Sequence, residues 1–363
     1  MFDDNNKTTS HYIYMRTICA IVFVTFTFSY LFFYQSDVLT LTQHILSGGK
    51  THYQPLIGSL LITLLLFLVQ LGVYFLTRIR LRFHAFTYFP SLLLLAVLTN
   101  IEPEIIQNKT YIHWFWAAPL LLIIYVFAVF LVKQYQQIET FEPKVSFAIK
   151  LLWINLLQLF FMFLFVGLVG SNNDILHYRL KMETSILRSD YETALNVGKK
   201  SLNSDSSLTM LRAFCLSQKH KLGEDFFTYP IVGGSESLLP GNDNVKTYLF
   251  PSDSIIKLSK RKSVYYDYKL VKLLLERNLS LFVKELGKYY TIDSKLPVHY
   301  KEALTLYAEK YPSEKAIFQD EAMKADYLDF DKMKHSHTDK MARMSELRDV
   351  YGTTYWFYYF YGV

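Results

Sequence analysis

The sequence predicts an all-α protein made of a five-helix transmembrane bundle followed by an α-solenoid of tetratricopeptide-like helical pairs. Five long apolar runs precede residue 170. Residues 1–170 hold only 10 Lys and Arg and 7 Asp and Glu, whereas residues 171–363 hold 28 and 25. Because the hydrocarbon core of a membrane disfavours charge, this break predicts a transmembrane domain over 1–170 and a water-soluble helical domain over 171–363.

The five apolar runs are each close to the length that a membrane-spanning helix requires. A helix needs about 20 apolar residues to cross the hydrocarbon core. The predicted spans cover residues 17–34, 56–76, 83–101, 114–132 and 147–169. The third run is the weakest, since it contains His84 and Pro90. The first is interpreted as a retained span, because it is long and residues 28–34 offer no small-x-small signal-peptide cleavage site.

The charges in the loops predict the orientation of the spans. Cytoplasmic loops of membrane proteins are enriched in Lys and Arg. With five spans and an inside N-terminus, eight basic residues lie in inner segments and only Lys50 and Lys109 lie in outer loops. Arg78, Arg80 and Arg82 form the strongest topology anchor. The prediction is a multi-pass protein of the bacterial inner membrane with a cytoplasmic N-terminus and an extracytoplasmic C-terminal domain; four spans instead of five would reverse the placement of that domain.

The C-terminal half carries a spacing that is typical of tetratricopeptide repeats. Ser189 and Gly223 lie 34 residues apart, which is the period of this repeat. The predicted repeat-packing residues are Tyr191, Ala194, Leu195, Ala213, Phe214 and Gly223. An irregular loop rich in Gly, Pro, Ser and Asp is predicted over residues 229–262 and interrupts the repeat. Stacked helical pairs of this type present a concave surface to peptides or to helices of partners.

Two features of the C-terminal half suggest contact with a partner. The chain ends in a run of seven aromatic residues that are partner-binding candidates: Tyr355, Trp356, Phe357, Tyr358, Tyr359, Phe360 and Tyr361. An exposed apolar cluster of this size would mark an interaction surface, whereas the alternative is that the last helix packs into the stack. A basic run at Lys257, Lys260, Arg261 and Lys262 indicates either a solvated helix start or contact with anionic lipid or an acidic partner.

Signals for chemistry are weak. Asp37, Glu102 and Glu104 lie in predicted outer loops and are the candidate catalytic residues of an alternative function, a membrane enzyme that acts on a lipid-linked sugar. Cys19 and Cys215 are interpreted as small buried hydrophobes, since they cannot form a Cys and His metal cluster. The formal charge of +6 is shared evenly by the two halves, which argues against nucleic-acid binding. No metal and no cofactor is predicted.

Polar residues inside the predicted spans are also given structural roles. Gln70, Asn155 and Gln158 are predicted to form hydrogen bonds between helices. Lys150 lies within a turn of the predicted inner interface, where its ammonium group reaches the headgroups. The predicted spans hold no paired carboxylates at mid-membrane depth, which argues against a proton-driven transporter. A transporter subunit, whose spans would need partners to form a pathway, is a third alternative.

Five short segments stand out along the chain: 47–53 (SGGKTHY), 222–230 (LGEDFFTYP), 237–240 (SLLP), 296–304 (LPVHYKEAL) and 351–356 (YGTTYW). In these segments the chain resembles an uncharacterised bacterial family, a domain of unknown function in multi-pass membrane proteins with tetratricopeptide-like C-terminal helices. The resemblance implies a short member of the family and supplies no catalytic residues. The favoured function is therefore a non-enzymatic, membrane-anchored scaffold that presents its helical domain to an envelope protein or peptide partner.

Overall fold

Helices are the only regular secondary structure in the part of the chain that its structure describes, with turns and irregular segments between them. A computed structural model describes residues 2–79, 81–100, 112–138, 145–241, 245–312, 320–335 and 340–362. No β-strand occurs in these ranges. The predicted all-α fold is confirmed, including five long apolar helices in the N-terminal half.

The chain divides into two compact units, Met1–Asn173 and Asp174–Val363. The N-terminal unit contains α1 (Phe2–Ser29), α2 (Ser36–Ser47), α3 (Pro55–Thr77), α4 (Phe89–Thr99), α5 (Ile112–Ile138) and α6 (Val145–Val169). A π-helical turn (Tyr30–Tyr34) extends α1, and a 3₁₀ segment (Leu81–Tyr88) leads into α4. Five segments are long and apolar enough to cross a membrane: Ile13–Tyr34, Pro55–Thr77, Arg82–Thr99, Trp114–Gln136 and Ile149–Val169.

The third candidate span, Arg82–Thr99, is the most enclosed of the five. Within the unit 56 % of it is buried, against 17–22 % for the other four. Enclosure by protein explains why this run tolerates His84, which is only 1 % exposed. Pro90 lies in the first turn of α4, where a helix has no intrahelical N–H bond to lose. Both residues that weaken the sequence signal therefore fit a helix packed among other spans.

Polar side chains of α6 satisfy the irregular backbone at the start of this third span. Asn155 Oδ1 accepts a hydrogen bond from the backbone N–H of Ala85 at 2.8 Å. Gln158 Nε2 donates to the backbone carbonyl of Arg82 at 3.0 Å. Backbone groups left unpaired in a membrane are costly, so irregular segments at that depth need such partners. The prediction that Asn155 and Gln158 form hydrogen bonds between helices is confirmed.

Hydrogen bonds also join the span ends on the other side of the bundle, away from the start of the third span. The backbone N–H of Ser171 donates to the carbonyl of Thr99 at 3.1 Å, and Gln35 Nε2 donates to the carbonyl of Ser171 at 3.2 Å. Trp114 Nε1 donates to Asn100 Oδ1 at 3.0 Å. The ends of the first, third and fifth candidate spans and the start of the fourth thus meet at one level, as alternating crossings require.

The C-terminal unit consists of helices that pack mainly on their neighbours in sequence. They are α7 (Asp174–Leu187), α8 (Tyr191–Asn196), α9 (Ser206–Gln218), α10 (Leu222–Asp225), α11 (Ser252–Ser259), α12 (Lys262–Leu275), α13 (Leu279–Tyr289), α14 (Val298–Lys310), α15 (Glu321–Lys334), α16 (Lys340–Tyr351) and α17 (Tyr355–Tyr361). Consecutive helices from α12 to α16 contact each other, and α17 also contacts α14. One cluster of buried apolar side chains, which includes Cys215, connects the two ends of the unit.

The tetratricopeptide-like pattern agrees with the structure in which residues are buried but not in the lengths of the helices. The predicted packing residues are buried or half-buried: Tyr191, Ala194, Leu195, Ala213, Phe214 and Gly223. However, α8 has six residues and α10 has four, so neither is a full second helix of a repeat. Extended backbone at Val197 and a positive φ of 61° at Gly198 end α8 early. A solenoid of complete repeats therefore stays a prediction.

The predicted irregular loop over 229–262 is too long at its C-terminal end. Ser252–Ser259 forms α11 and Lys262 begins α12, while Gly234–Ser237 forms a short 3₁₀ turn. The apolar residues Ile255, Ile256 and Leu258 have the spacing of one helix face, which is sufficient for two turns of helix.

Gly223 permits close approach of α10 to α14, and its replacement should be destabilising. A Cβ atom there would lie 2.6 Å from Cζ of Tyr300. Tyr300 is fully buried and its hydroxyl donates to Asp267 Oδ1 at 3.0 Å, so the ring has little room to move. We expect Gly223→Ala to lower the free energy of unfolding by about 1–3 kcal/mol, measured by thermal unfolding of the full-length protein in mild detergent.

Gly287→Ala is the matched control for this substitution. Gly287 lies on the exposed side of α13, and a Cβ atom there would meet no heavy atom within 4 Å. Alanine favours helix over glycine, so this variant should keep or slightly raise the Tm. Equal losses in the two variants would contradict the proposed contact of Gly223 with Tyr300.

A lysine and tyrosine groove as the candidate functional site

A groove with a volume of about 370 Å³ opens in the C-terminal unit, between residues 235–241 and α12. We call it the lysine–tyrosine groove. The lining residues that matter here are Leu239, Lys260, Tyr265, Tyr268, Lys269 and Lys272. Its volume falls in the range of pockets that hold small ligands or a few side chains of a partner.

Helical periodicity brings four of these side chains to one side of α12. Tyr265, Tyr268, Lys269 and Lys272 are spaced i, i+3, i+4 and i+7, which places them on the same face. Tyr268 is buried and gives this face an apolar base, whereas Tyr265 is 47 % exposed. Lys260 adds a third cation from the turn between α11 and α12. Lys260 belongs to the basic run that the sequence marks, whereas Lys269 and Lys272 do not stand out there.

Lys269 forms an ion pair with Glu285, and Lys288 pairs with the same carboxylate. Lys269 Nζ lies 2.7 Å from Glu285 Oε2, and Lys288 Nζ lies 2.7 Å from Glu285 Oε1. Hydrogen bonds from Lys269 and then Lys288 lower the pKa of Glu285 to about 2. The hydrogen bond to Glu285 in turn raises the pKa of Lys269. Both groups are therefore ionised at neutral pH, and Lys269 is held in one place.

The other two lysines are less constrained. Lys272 lies 3.8 Å from Glu276 in an exposed pair one helical turn apart, which contributes little energy. No carboxylate of the described residues lies within 4.0 Å of Lys260. Glu236 is the one acidic residue among the groove's lining residues, so the described lining carries three positive charges and one negative charge. Such a surface favours an anionic ligand with apolar or aromatic parts.

A histidine and carboxylate pair lies elsewhere in the unit and is closed to solvent. His299 Nδ1 lies 2.9 Å from Glu302 Oε2, and the two residues are 2 % and 4 % exposed. The backbone N–H of Phe227 donates to His299 Nε2 at 3.3 Å, which leaves Nδ1 as the nitrogen that donates to Glu302. Glu302 Oε2 also accepts the backbone N–H of Tyr355 at 2.6 Å. The pair therefore connects α14 to α17 and to the Phe227 turn.

The α12 wall of the groove and the His299–Glu302 pair both fall in a segment that matches a known family model. Residues 251–362 match a family of unknown function, DUF6057. The predicted resemblance to an uncharacterised family is confirmed over this segment. No curated protein and no solved structure matches the chain. The DUF6057 segment contains α11 to α17, and with them all three groove lysines, whereas residues 235–241 of the opposite wall precede it.

The C-terminal aromatic residues of the DUF6057 segment are mainly core residues. Three of the predicted partner-binding residues, Tyr355, Trp356 and Tyr358, are buried and present almost no surface to a partner. The others are half-buried or exposed: Phe357, Tyr359, Tyr361 and, at 39 % exposure, Phe360. The reason is that α17 lies against α14 and α16, with Trp356 Nε1 donating to the carbonyl of Glu302 at 2.8 Å. These contacts fit the alternative interpretation, in which the last helix packs into the unit.

Asp37 is the one candidate catalytic carboxylate of the predicted outer loops that the structure describes. Glu102 and Glu104 lie outside the described residues. Asp37 is buried in the first turn of α2, where its Oδ1 accepts the backbone N–H of Val38 at 3.0 Å. A carboxylate at the start of a helix interacts favourably with the helix dipole and stabilises the helix. Asp37 therefore has a structural role, which its predicted position in a loop did not indicate.

Two further sequence predictions concern the topology anchors and metals. Arg78 directly follows α3 and is exposed, Arg82 begins the third candidate span, and Arg80 lies outside the described residues. In the described ranges, no three His, Cys, Asp or Glu side chains are placed so that they could hold a metal ion.

Proposed function

We propose that the chain is a membrane-anchored binding protein whose C-terminal unit captures an acidic segment of an envelope protein in the lysine–tyrosine groove. The groove carries this proposal, because three lysines and two tyrosines converge on one cavity of about 370 Å³. Acidic side chains of a partner would pair with the lysines while its apolar side chains contact Tyr265, Tyr268 and Leu239.

The proposed location follows from the loop charges. Eight of the ten basic residues in the N-terminal half belong to segments that five crossings place on the N-terminal side. We therefore assign the N-terminus to the cytoplasm and the C-terminal unit to the extracytoplasmic side of a bacterial inner membrane. The described end of the third candidate span meets the ends of the first and fifth, which supports five crossings.

Charge reversal in the groove should abolish capture of the partner. A photo-crosslinking amino acid at position 265 of the full-length protein, expressed in cells, is expected to form a discrete protein adduct. The double variant Lys260→Glu and Lys272→Glu should reduce the yield of that adduct about tenfold or more, since each attraction becomes a repulsion. The measurement is the adduct yield after illumination, followed by identification of the captured segment by mass spectrometry.

Two controls separate this effect from loss of folding or from general charge. The double variant Lys284→Glu and Lys324→Glu makes the same change at exposed lysines outside the groove and should leave the adduct unchanged. The same probe at Tyr311, which is 38 % exposed and also outside the groove, should give no adduct. An adduct at position 265 that survives reversal of the groove lysines, or a captured segment without acidic residues, would refute the proposal.

A further inference from the structure

A second cavity, unrelated to the groove, lies within the N-terminal unit. It has a volume of about 300 Å³ and is lined by α1, α3 and the 3₁₀ segment before α4. The lining residues that bear on its ligand are Arg16, Thr17, Ala20, Gln70, His84 and Tyr88. A cavity with this many polar groups is unusual between apolar helices, where polar side chains are costly and mark binding sites.

Arg16 is the charged residue of this cavity. It lies three residues into the first candidate span, which begins at Ile13, so its Cα is about 4–5 Å along the helix from the start of the apolar segment. Its guanidinium lies 4.2 Å above the ring of Tyr74, and its Nη1 atom donates to the Tyr74 hydroxyl at 3.4 Å. The side chain is thus held at the boundary between hydrocarbon and headgroups by a residue near the end of α3.

The neutral polar residues of the cavity are also held in place. Gln70 is 2 % exposed, and its Nε2 atom donates to Thr87 Oγ1 at 3.0 Å. The ring of His84 packs edge-on against Tyr74 and Tyr88, with centroids 5.5 and 5.9 Å apart. Packing fixes these side chains before any ligand arrives, which is the usual condition for a specific site.

We propose that this cavity binds the phosphate of an anionic phospholipid headgroup, with Arg16 as its charged contact. A guanidinium presents several N–H donors in a plane that matches the oxygens of a phosphate. Basic pockets between transmembrane helices bind such headgroups. The depth of Arg16 favours a lipid over free phosphate, because acyl chains can extend along exposed apolar residues of α1 and α3 such as Ile21 and Leu64.

The test is the thermal stability of the full-length protein in mild detergent with defined additions. Phosphatidylglycerol is expected to raise the Tm more than phosphatidylcholine does, while inorganic phosphate has no effect. Arg16→Gln should weaken the apparent affinity for phosphatidylglycerol about tenfold or more, since it removes a charge-assisted contact. Arg78→Gln removes the same charge from an exposed position outside the cavity and should leave the response intact.

A second variant keeps the proposal testable if Arg16→Gln does not fold. Ala20→Leu retains the arginine but fills the cavity that Ala20 lines, and it should also abolish the response to phosphatidylglycerol. A response that persists in Arg16→Gln or Ala20→Leu would overturn the proposal. So would an equal loss in Arg78→Gln, which would indicate a general charge effect, or an equal response to inorganic phosphate.

Discussion

Replacing Trp356 by alanine is expected to lower the free energy of unfolding of the C-terminal unit by about 3–5 kcal/mol. The indole is 2 % exposed and packs on Tyr327 and Phe330, with ring centroids 5.3 and 6.1 Å apart. Its removal leaves a large cavity, and the carbonyl of Glu302 loses the indole N–H as a partner. Because α17 contacts α14 and α16, the loss should loosen all three helices.

Hydrogen exchange of the full-length protein in mild detergent measures this effect helix by helix. Peptides from α14 and α17 should exchange much faster in Trp356→Ala, while peptides from the candidate spans should not change. Phe360→Ala is the matched control, since Phe360 is 39 % exposed and belongs to the same aromatic run. We expect it to cost no more than about 1 kcal/mol. Equal losses in the two variants would show that the run does not have one buried and one exposed side.

The broad division of the protein follows from its sequence because it depends on composition alone. Apolar runs of about 20 residues with few or no charges can form only a few structures, and the five candidate spans fall close to the predicted limits. The third run is harder to recognise, since a single sequence does not show that neighbouring helices enclose His84. The compensating side chains, Asn155 and Gln158, lie about 70 residues away in α6.

The details of the C-terminal unit depend on long-range packing and are less predictable. Tetratricopeptide spacing correctly identifies Ala194 and Leu195 as buried, but helix length is set by the backbone at Val197 and Gly198. The aromatic run is similar: consecutive rings predict a cluster, but whether it is covered depends on the position of α14.

The lysine–tyrosine groove is only half visible in the sequence. The i, i+3, i+4, i+7 spacing from Tyr265 to Lys272 defines a face of α12, and that signal could have been recognised. The opposite wall comes from residues 235–241, which lie in a stretch with no periodicity. Only the folded chain brings the two together.

A buried carboxylate holds the irregular stretch that precedes α11. Glu183 of α7 is fully buried, and its Oε2 atom accepts the backbone N–H groups of Tyr248, Leu249 and Phe250 at 2.8, 2.5 and 3.0 Å. Arg179, one turn earlier on α7, lies 4.3 Å above the ring of Tyr248. These contacts fix the bent backbone of 248–250 against α7.

Glu183→Ala is therefore expected to lower the free energy of unfolding by about 3 kcal/mol or more, because buried N–H groups lose their acceptor. Glu183→Gln keeps an acceptor oxygen and should cost less. Glu192→Ala serves as the control, since Glu192 is exposed and its side chain pairs only at the surface. Urea unfolding of the full-length protein in mild detergent measures all three, and a loss in Glu192→Ala as large as that in Glu183→Ala would contradict the role of the buried carboxylate.

The pH dependence of stability separates the effect of the charge on Glu183 from the effect of packing its side chain. Burial raises the pKa of Glu183 above its usual value of 4.5, although the three amides and Arg179 reduce the rise. The folded protein thus retains this proton to a higher pH than the unfolded chain does. As the pH rises from about 4.5 through the folded-state pKa, the wild type should lose stability relative to Glu183→Gln, and above that pKa the difference should stay constant. Parallel stability profiles from about pH 4.5 to about pH 7 would show that the carboxyl has the same pKa in the folded and unfolded states.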